Sequence, residues 1–280
     1  MIDLVTIGHV TLDETPSGVR PGGAAYYAAV TAQRLGLRVG LLTSVADDYP
    51  REAFPDGIDL VTVPAAQSTR FRVGLAKGAR ALTLLTRAAD LEAEHLPAAW
   101  RNAPLALLGP VAAEVDPALA GAFDDASVAA LPQGWMRKRG RGGLMGRQAW
   151  DDAASVLPWT QVLVLSEEDV GDGEETAVTW LHQVPLGAIT RGSRGATLYV
   201  NGEPYHVIAD PATEVDPTGA GDVFATTLLV EYQRSGDAWE AAAHAACAGA
   251  ASVEGEGIAA IADRAGLDAR LVAYRRRRGG

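Results

Sequence analysis

Short apolar runs recur along the whole chain, several of them preceded by a helical or polar stretch. They lie at residues 4–8, 38–44, 105–109, 127–131, 162–166 and 186–190. Runs this short and this continuously apolar are strands buried on both faces, and helices between them are what covers both faces. The pattern therefore predicts an α/β fold with a mostly parallel central sheet. The Ala-rich stretch from Gly23 to Leu35 ends at Gly36, the signature of a helix with a glycine stop. Residues 224–234 and 238–254 read as the last long helices. Residues 60–63, 71–75, 81–85 and 196–200 add strands, with a turn at Lys77-Gly78-Ala79, and residues 13–21 read as turn-rich. The basic residues Arg275 to Arg278, followed by Gly279-Gly280, read as a solvated, frayed tail. No repeat period and no long linker interrupts the 280 residues, so one domain spanning 1–280 is expected.

Composition removes several function classes. The formal net charge of −11 argues against nucleic-acid binding, which needs a basic surface. No apolar stretch approaches the length of a membrane span, and the N-terminus lacks the basic start of a signal peptide. With Cys247 as the one cysteine, no internal disulfide can form, and a cytoplasmic location is expected. The five histidines are scattered without metal-ligand spacing. Neither a GxSxG elbow nor a Walker GxxxxGK[ST] loop is present, which removes support for a serine hydrolase or a P-loop NTPase.

In open parallel sheets ligands bind beyond the carboxyl ends of the strands. The most informative polar segment there is Asp216-Pro217-Thr218-Gly219-Ala220-Gly221-Asp222, which runs into a helix. Gly219, Ala220 and Gly221 at a helix N-terminus would present amides to an anion, near the positive end of the helix dipole. Asp222, in the first turn beside them, could accept a proton from a hydroxyl while the amides stabilise charge developing on phosphate. A plain Asp-Pro turn with a capping Asp is the competing reading, but a cap does not need two glycines. Three further segments have the same placement. Gly22 and Gly23, ahead of Tyr27, allow a ligand close to the backbone, or mark a helix start packed on the sheet, the reading that the residues alone favour. Ser166 to Asp169 follow a buried strand, as an acid-rich helix start with Ser166 as N-cap or as a site for Mg·ATP. Residues 190–195 form a glycine-bearing hairpin. Gln133, Trp135 and Arg137 also follow a strand; Gln133 and Arg137 could hydrogen-bond a polyol, or the segment is a surface loop with a packed Trp.

The run from Asp216 to Asp222 resembles the C-terminal signature of the ribokinase-like (PfkB) carbohydrate kinases, and the other segments fall in that family's order. The resemblance implies a ribokinase-like three-layer sandwich with a mostly parallel central sheet and a reduced β lid drawn from about 10–22 and 59–85. It implies an ATP-dependent kinase, Asp222 being the catalytic base and Gly219, Ala220 and Gly221 the anion hole. Asp13, Gly22, Gly23, Tyr27, Gln133 and Arg137 then bind a small sugar or polyol. Ser166, Asp169, Thr190, Arg191, Gly192, Gly195 and Thr218 bind the nucleotide, with residues 247–257 near adenine and Cys247 packed as a small buried hydrophobe. Asp169 would reach Mg²⁺ through water, and a monovalent cation such as K⁺ would sit at Asp216 and Thr218. A homodimer completed by the lid sheet is the assembly that such kinases suggest. The pattern departs from the family's at three places: Tyr27 stands for the usual Asn, Ser166 and Asp169 stand for an Asn-x-x-Glu pair, and the span from Asp13 to Gly22 is short. The Tyr, the short span and the Gln133 loop resemble the myo-inositol-kinase-like branch. A nucleoside kinase of the same fold, or a non-catalytic ligand-binding protein on the kinase scaffold, are the alternatives.

Overall fold

The computed structural model describes residues 1–76 and 79–278. Nine strands form one large sheet. In chain order these are β1 (Leu4–Ile7), β4 (Val39–Val45), β5 (Asp59–Pro64), β8 (Leu105–Leu108), β9 (Ser127–Ala130), β12 (Thr160–Ser166), β13 (Leu186–Thr190), β14 (Ala196–Val200) and β15 (Glu203–Val207). Their spatial order is β15-β14-β13-β12-β9-β8-β1-β4-β5. All pairs are parallel except β13–β14 and β14–β15.

Strand alternation splits the core in two. Leu4, Leu41, Leu105, Leu107, Val162 and Val164 pack on one face, while Val5, Leu42, Ala106, Leu108, Leu163 and Leu165 pack on the other. The first face is covered by α1 (Ala24–Arg34), α5 (Ala220–Ser235), α6 (Ala238–Ser252) and α7 (Arg264–Arg277). Alanine is the best helix former, and its small side chain lets α5 and α6 approach closely. Gly249, for example, lies against the backbone of Ala220 and the Cβ of Phe224. The second face is covered by short elements: α2 (Ala153–Val156), α3 (Glu167–Val170), α4 (Glu174–Leu181) and several single 3₁₀ turns. Bulk replaces helix length there. The Trp135 and Trp150 rings stack at 5.6 Å, and Trp180 meets Trp150 edge-on at 5.2 Å. The three layers and the mostly parallel sheet are those expected.

A second sheet of four strands, order β3-β2-β6-β7, stands apart from the first. It contains β2 (Thr11–Thr15), β3 (Gly18–Gly22), β6 (Thr69–Ala76) and β7 (Ala79–Thr86). A two-stranded hairpin, β10 (Arg137–Arg139) and β11 (Met145–Arg147), approaches β7 through a bridge between Thr83 and Leu144.

Four local expectations differ. Residues 13–21 are not a run of turns: they fall in β2 and β3, because β6 supplies β2 with a parallel partner and edge position tolerates Pro21 in β3. β5 pairs with β4 in the large sheet and takes no part in the small one. The loop after Gln133 continues into the hairpin. Arg275, Arg276 and Arg277 lie inside α7 rather than in a frayed tail, where Arg275 pairs with Glu240 and Arg277 with Asp210. Lys77 and Gly78 of the expected turn, and Gly279-Gly280, lie outside the described residues. Among the described residues no helix is long and apolar enough to cross a membrane.

Candidate active site

The carboxyl ends of β9, β12 and β13 lie along one edge of the large sheet and deliver three of the segments singled out above, and β1 leads from the same edge into β2, which carries Asp13. α5 begins at this edge. Its N-cap, Gly219, has φ +81°, a left-handed conformation that costs an L side chain. Ala220 N–H bonds to the Pro217 carbonyl at 3.3 Å, and Val223 N–H to the Gly219 carbonyl at 2.9 Å. Between them, the amides of Gly221 and Asp222 have no backbone carbonyl as partner among the described residues, and nothing stands within 4 Å of where a Gly221 side chain would begin. Two free amides at the positive end of a sixteen-residue helix are a geometry that can hold an anion.

Asp222 occupies the first turn of α5. Part of the residue reaches the surface, but its carboxyl is enclosed by protein. That desolvation pushes its pKa up to about 7; Arg137 works against the shift and the Asp169 carboxylate adds to it. Gln133 Nε2 donates to Asp222 Oδ1 at 3.3 Å, and Arg137 Nη2 donates to Gln133 Oε1 at 2.9 Å. Gln133 and Arg137, expected on the acceptor, are thus tied into a chain that ends on the carboxylate.

Opposite α5 stands the small sheet. Asp13 Oδ1 accepts from the Thr11 hydroxyl at 2.8 Å, and the carboxylate rests against the α-carbon of Gly22, where a Cβ would collide with it. Gly23 caps α1 with φ +99° and lies against the His9 carbonyl, so chain packing alone demands a glycine there, whereas a Cβ at Gly22 would displace the Asp13 side chain. Tyr27, 3% exposed, packs its ring against Gly219. Burial, reinforced by the carboxylates of Asp216, Asp13 and Asp222, holds its hydroxyl protonated well above the usual tyrosine range. Asp13, Thr15, Arg20, Pro21, Tyr27, Val73 and Thr218 line a small cavity between the small sheet and the α5 loop.

Asp216 is 8% exposed and fully engaged. Burial alone would raise its pKa. The amide of Gly257, the hydroxyl and amide of Thr218, and the charge of Arg20 hold it below the usual carboxylate range. Val253 O accepts the amides of Val215 and Asp216 at 2.7 and 3.1 Å, so the turn after α6 lies against the α5 loop.

Ser166 and Thr190 are register partners at the ends of β12 and β13. Ser166 and Asp169 form a reciprocal capping box: Asp169 Oδ2 accepts from the Ser166 hydroxyl at 2.6 Å and its amide at 3.1 Å, and Asp169 N–H returns a bond to Ser166 Oγ at 3.1 Å. The Thr190 hydroxyl donates to the Leu165 carbonyl at 3.3 Å. In the turn that follows, Gly192 and Gly195 have φ +56° and +86°. Arg191 pairs with Glu174 and lies 3.8 Å from Glu167; Arg194 pairs with Glu167. Both arginines are therefore paired with carboxylates. Cys247 has no exposed surface, and burial pushes its thiol up to about 12, an inert state. Among the described residues no group of three or more His, Cys, Asp or Glu stands close enough to cage a metal ion.

Two residues of this region escaped the sequence reading. Arg20 reaches Asp216 across 196 positions of sequence; the available signal was hairpin register, which places it opposite Asp13. Arg147, on β11, lays its guanidinium against Gly171, just beyond α3, so closely that a Cβ there would strike it.

Residues 162–264 match the family model for the pfkB family carbohydrate kinases. A cytidine kinase of Thermococcus kodakarensis is 27% identical over 255 residues, covering 84% of this chain and 90% of that protein. Two solved structures share the fold. One, a pyrophosphate-dependent kinase of the ribokinase family complexed with a pyrophosphate analogue and myo-inositol, superposes with a TM-score of 0.78 at 17% identity, covering 95% of this chain and 99% of its own. The other is a ribokinase-like protein from E. coli in complex with ATP and Mg²⁺, with a TM-score of 0.70 at 20% identity, covering 98% of this chain and 100% of its own. The sheet order agrees with this likeness: the chain shares the fold of these ribokinase-family structures, and its residues 162–264 match the pfkB family carbohydrate kinases.

Proposed function

We propose that this protein transfers the terminal phosphoryl group of ATP to a hydroxyl of a small sugar or polyol. The observation that carries the reading is the pairing at the head of α5: a carboxyl held near neutral pKa beside two unpartnered amides. Asp222 takes the acceptor's hydroxyl proton as the alcohol oxygen attacks phosphorus. The bond from phosphorus to the bridging oxygen breaks, and ADP leaves with that oxygen. The amides of Gly221 and Asp222 stabilise the charge on the phosphoryl oxygens in flight. Gln133, oriented by Arg137, aims the Asp222 carboxylate. Asp13 and Tyr27 hold the acceptor from the small sheet, Asp13 as a double acceptor and Tyr27 as a ring edge with a hydroxyl. The small sheet then acts as the lid of a single domain.

Mg²⁺, which the family implies, neutralises donor phosphates when bound. One oxygen of Asp169 is committed to the capping box, which leaves the other to reach such an ion through water. Among the described residues no group of three or more His, Cys, Asp or Glu forms a cage around it. K⁺ does not fit Asp216, whose oxygens already hold Arg20, Gly257 and Thr218. A buried lone cysteine suits a reducing cytoplasm.

For the acceptor, the 27% identity to a cytidine kinase supports a nucleoside, whose ribose offers the same hydroxyl chemistry. For the donor, pyrophosphate is the second reading. It is favoured by the ion-paired state of Arg191 and Arg194, together with the guanidinium of Arg147 at the end of α3, for which no carboxylate partner stands among the described residues. One matrix assay separates these readings: ATP or pyrophosphate against sugars, cyclitols and nucleosides, with phosphorylated product as the readout. Product with a cyclitol or sugar and ATP supports the first reading. Absence of product in every cell of the matrix overturns catalysis and leaves a non-catalytic binding protein.

A further inference from the structure

The small sheet and the loop that opens α5 meet at one ion pair. Arg20 lies on β3 directly across the ladder from Asp13. Its Nη1 donates to Asp216 Oδ2 at 2.8 Å. The same oxygen accepts from the Gly257 amide at 3.1 Å, while Oδ1 accepts from the Thr218 amide at 3.1 Å. The Thr218 hydroxyl donates to the carboxylate as well. A carboxylate offers about four lone-pair sites. Four donors fill them here, and one of the four carries a full positive charge. Glu256, 3.9 Å from the same Nη1, gives that charge a second acidic neighbour. A metal cation at Asp216 would have to displace a donor and then sit beside a guanidinium, against the repulsion of like charges.

We propose that the Arg20 guanidinium is the resident cation of the Asp216 carboxylate, so that phosphoryl transfer by this chain needs no monovalent metal ion. The inference rests on the kinase reading above. Arg20 is a positioning residue. It touches neither the transferred group nor the base, and it acts through the Asp216-Pro217-Thr218-Gly219 loop that aims the free amides of α5. A guanidinium suits the task because it stays charged at every physiological pH and is delivered by the chain itself. Neutralisation of Asp216 then follows from the small sheet lying against the loop, not from the salt in the medium.

One arm of the test uses no catalysis. The melting temperature is compared in KCl and in choline chloride at equal ionic strength, for the wild type, Arg20→Gln and Arg20→Lys. The wild type should differ by less than about 1 °C between the salts, and Arg20→Lys should follow it. Arg20→Gln, whose carboxylate is vacated, should gain about 2 °C or more in KCl, as expected when a site that binds only the folded state is filled. A wild type stabilised by KCl to that extent overturns the proposal. So does an Arg20→Gln protein that melts alike in both salts. Should Arg20→Gln fail to fold, the wild type alone decides.

The second arm reads turnover with whichever donor and acceptor the matrix assay identifies. The wild-type rate should change less than about twofold between the salts, whereas Arg20→Gln should fall by about tenfold or more in choline and recover in KCl. Wild-type activation by KCl of about tenfold overturns the proposal. Absence of turnover in both salts overturns the kinase reading instead, and the melting arm then decides on Arg20 by itself.

Discussion

The ring of Tyr27 lies so close to the α-carbon of Gly219 that a methyl group there would overlap its Cγ, Cδ1 and Cε1 atoms. Helix α1, which carries Tyr27, therefore sets how near the α5 loop can come to the core, and the loop's left-handed N-cap is fixed by contact as well as by conformation.

Gly219→Ala meets both obstacles. The φ of +81° costs an alanine about 1 kcal/mol or more, and the overlap with Tyr27 adds about 1–3 kcal/mol of overpacking. The melting temperature should fall accordingly. Adding Tyr27→Ala relieves the overlap but not the backbone strain, so the double mutant should be more stable than the sum of the two single effects. A thermodynamic cycle over the four proteins measures that coupling.

Asp222→Asn should reduce phosphoryl transfer by about 10²–10⁴-fold, the usual cost of losing a general base. Fold and donor affinity should persist, because Asn is isosteric and also suits the first turn of a helix. Turnover, donor binding and melting temperature of the two proteins are the measurements. A variant that keeps more than about a tenth of the wild-type rate would remove Asp222 from the role of base.

With its pKa pushed to about 7, Asp222 should impose an acid limb on kcat/KM: activity rises with pH through that value as the carboxyl ionises. The stability of the free protein should run the other way. The folded state holds the Asp222 proton more tightly than the unfolded chain does, so this group's contribution is complete below the unfolded value, near 3.8, and is lost as pH rises through about 7. Asp222→Asn should flatten that part of the stability curve. Chemical denaturation at a series of pH values, on both proteins, checks the sign.

Arg137→Met removes the positive charge that opposes the shift of Asp222. The acid limb of kcat/KM should move to higher pH. The loss of activity should thus be larger at pH 6.5 than at pH 8.5. Gln133→Ala keeps the charge but removes the hydrogen bond to Oδ1. It should lower kcat at all pH values with a smaller displacement of the limb. Paired pH–rate profiles separate aiming from charge.

What sequence reveals here follows the range of the interactions involved. Buried strands such as residues 162–166, and helices with local stops such as the one ended by Gly36, are determined by neighbours in sequence and were legible. The glycine-bearing start of α5 was legible too, because its glycines and Asp222 fall within one short stretch, although the amide of Ala220, expected in the anion hole, bonds to the Pro217 carbonyl. β2 and β3 depend on the distant β6 for their ladder, and their Thr-, Pro- and Gly-rich composition alone reads as turns. The last turns of α7 depend on Glu240 and Asp210 to hold Arg275 and Arg277. Arg20 was invisible for the same reason: nothing near it in the chain announces a carboxylate 196 residues away. Gln133 and Arg137 were picked out by position, but only the geometry joins them to Asp222.

The reversal of strand direction at β14 also bears on how such a protein can change over generations. Residues 191–195 are spanned by two strands in continuous register, from Thr190 opposite Ala196 to Leu186 opposite Val200. A residue inserted within either strand and not absorbed by the turn would turn the faces of the rest of that strand over, exposing Ile189 or Leu198 and burying polar neighbours. Change inside that ladder therefore reaches the core of the large sheet. The turn between β2 and β3, and the β10–β11 hairpin, hang on no strand of the large sheet, and can grow or shrink without disturbing the core. Descendants of this scaffold are free to explore new partners on the side where Asp13 and Gln133 stand, while the ladder that ends at Thr190 stays tied to the central sheet.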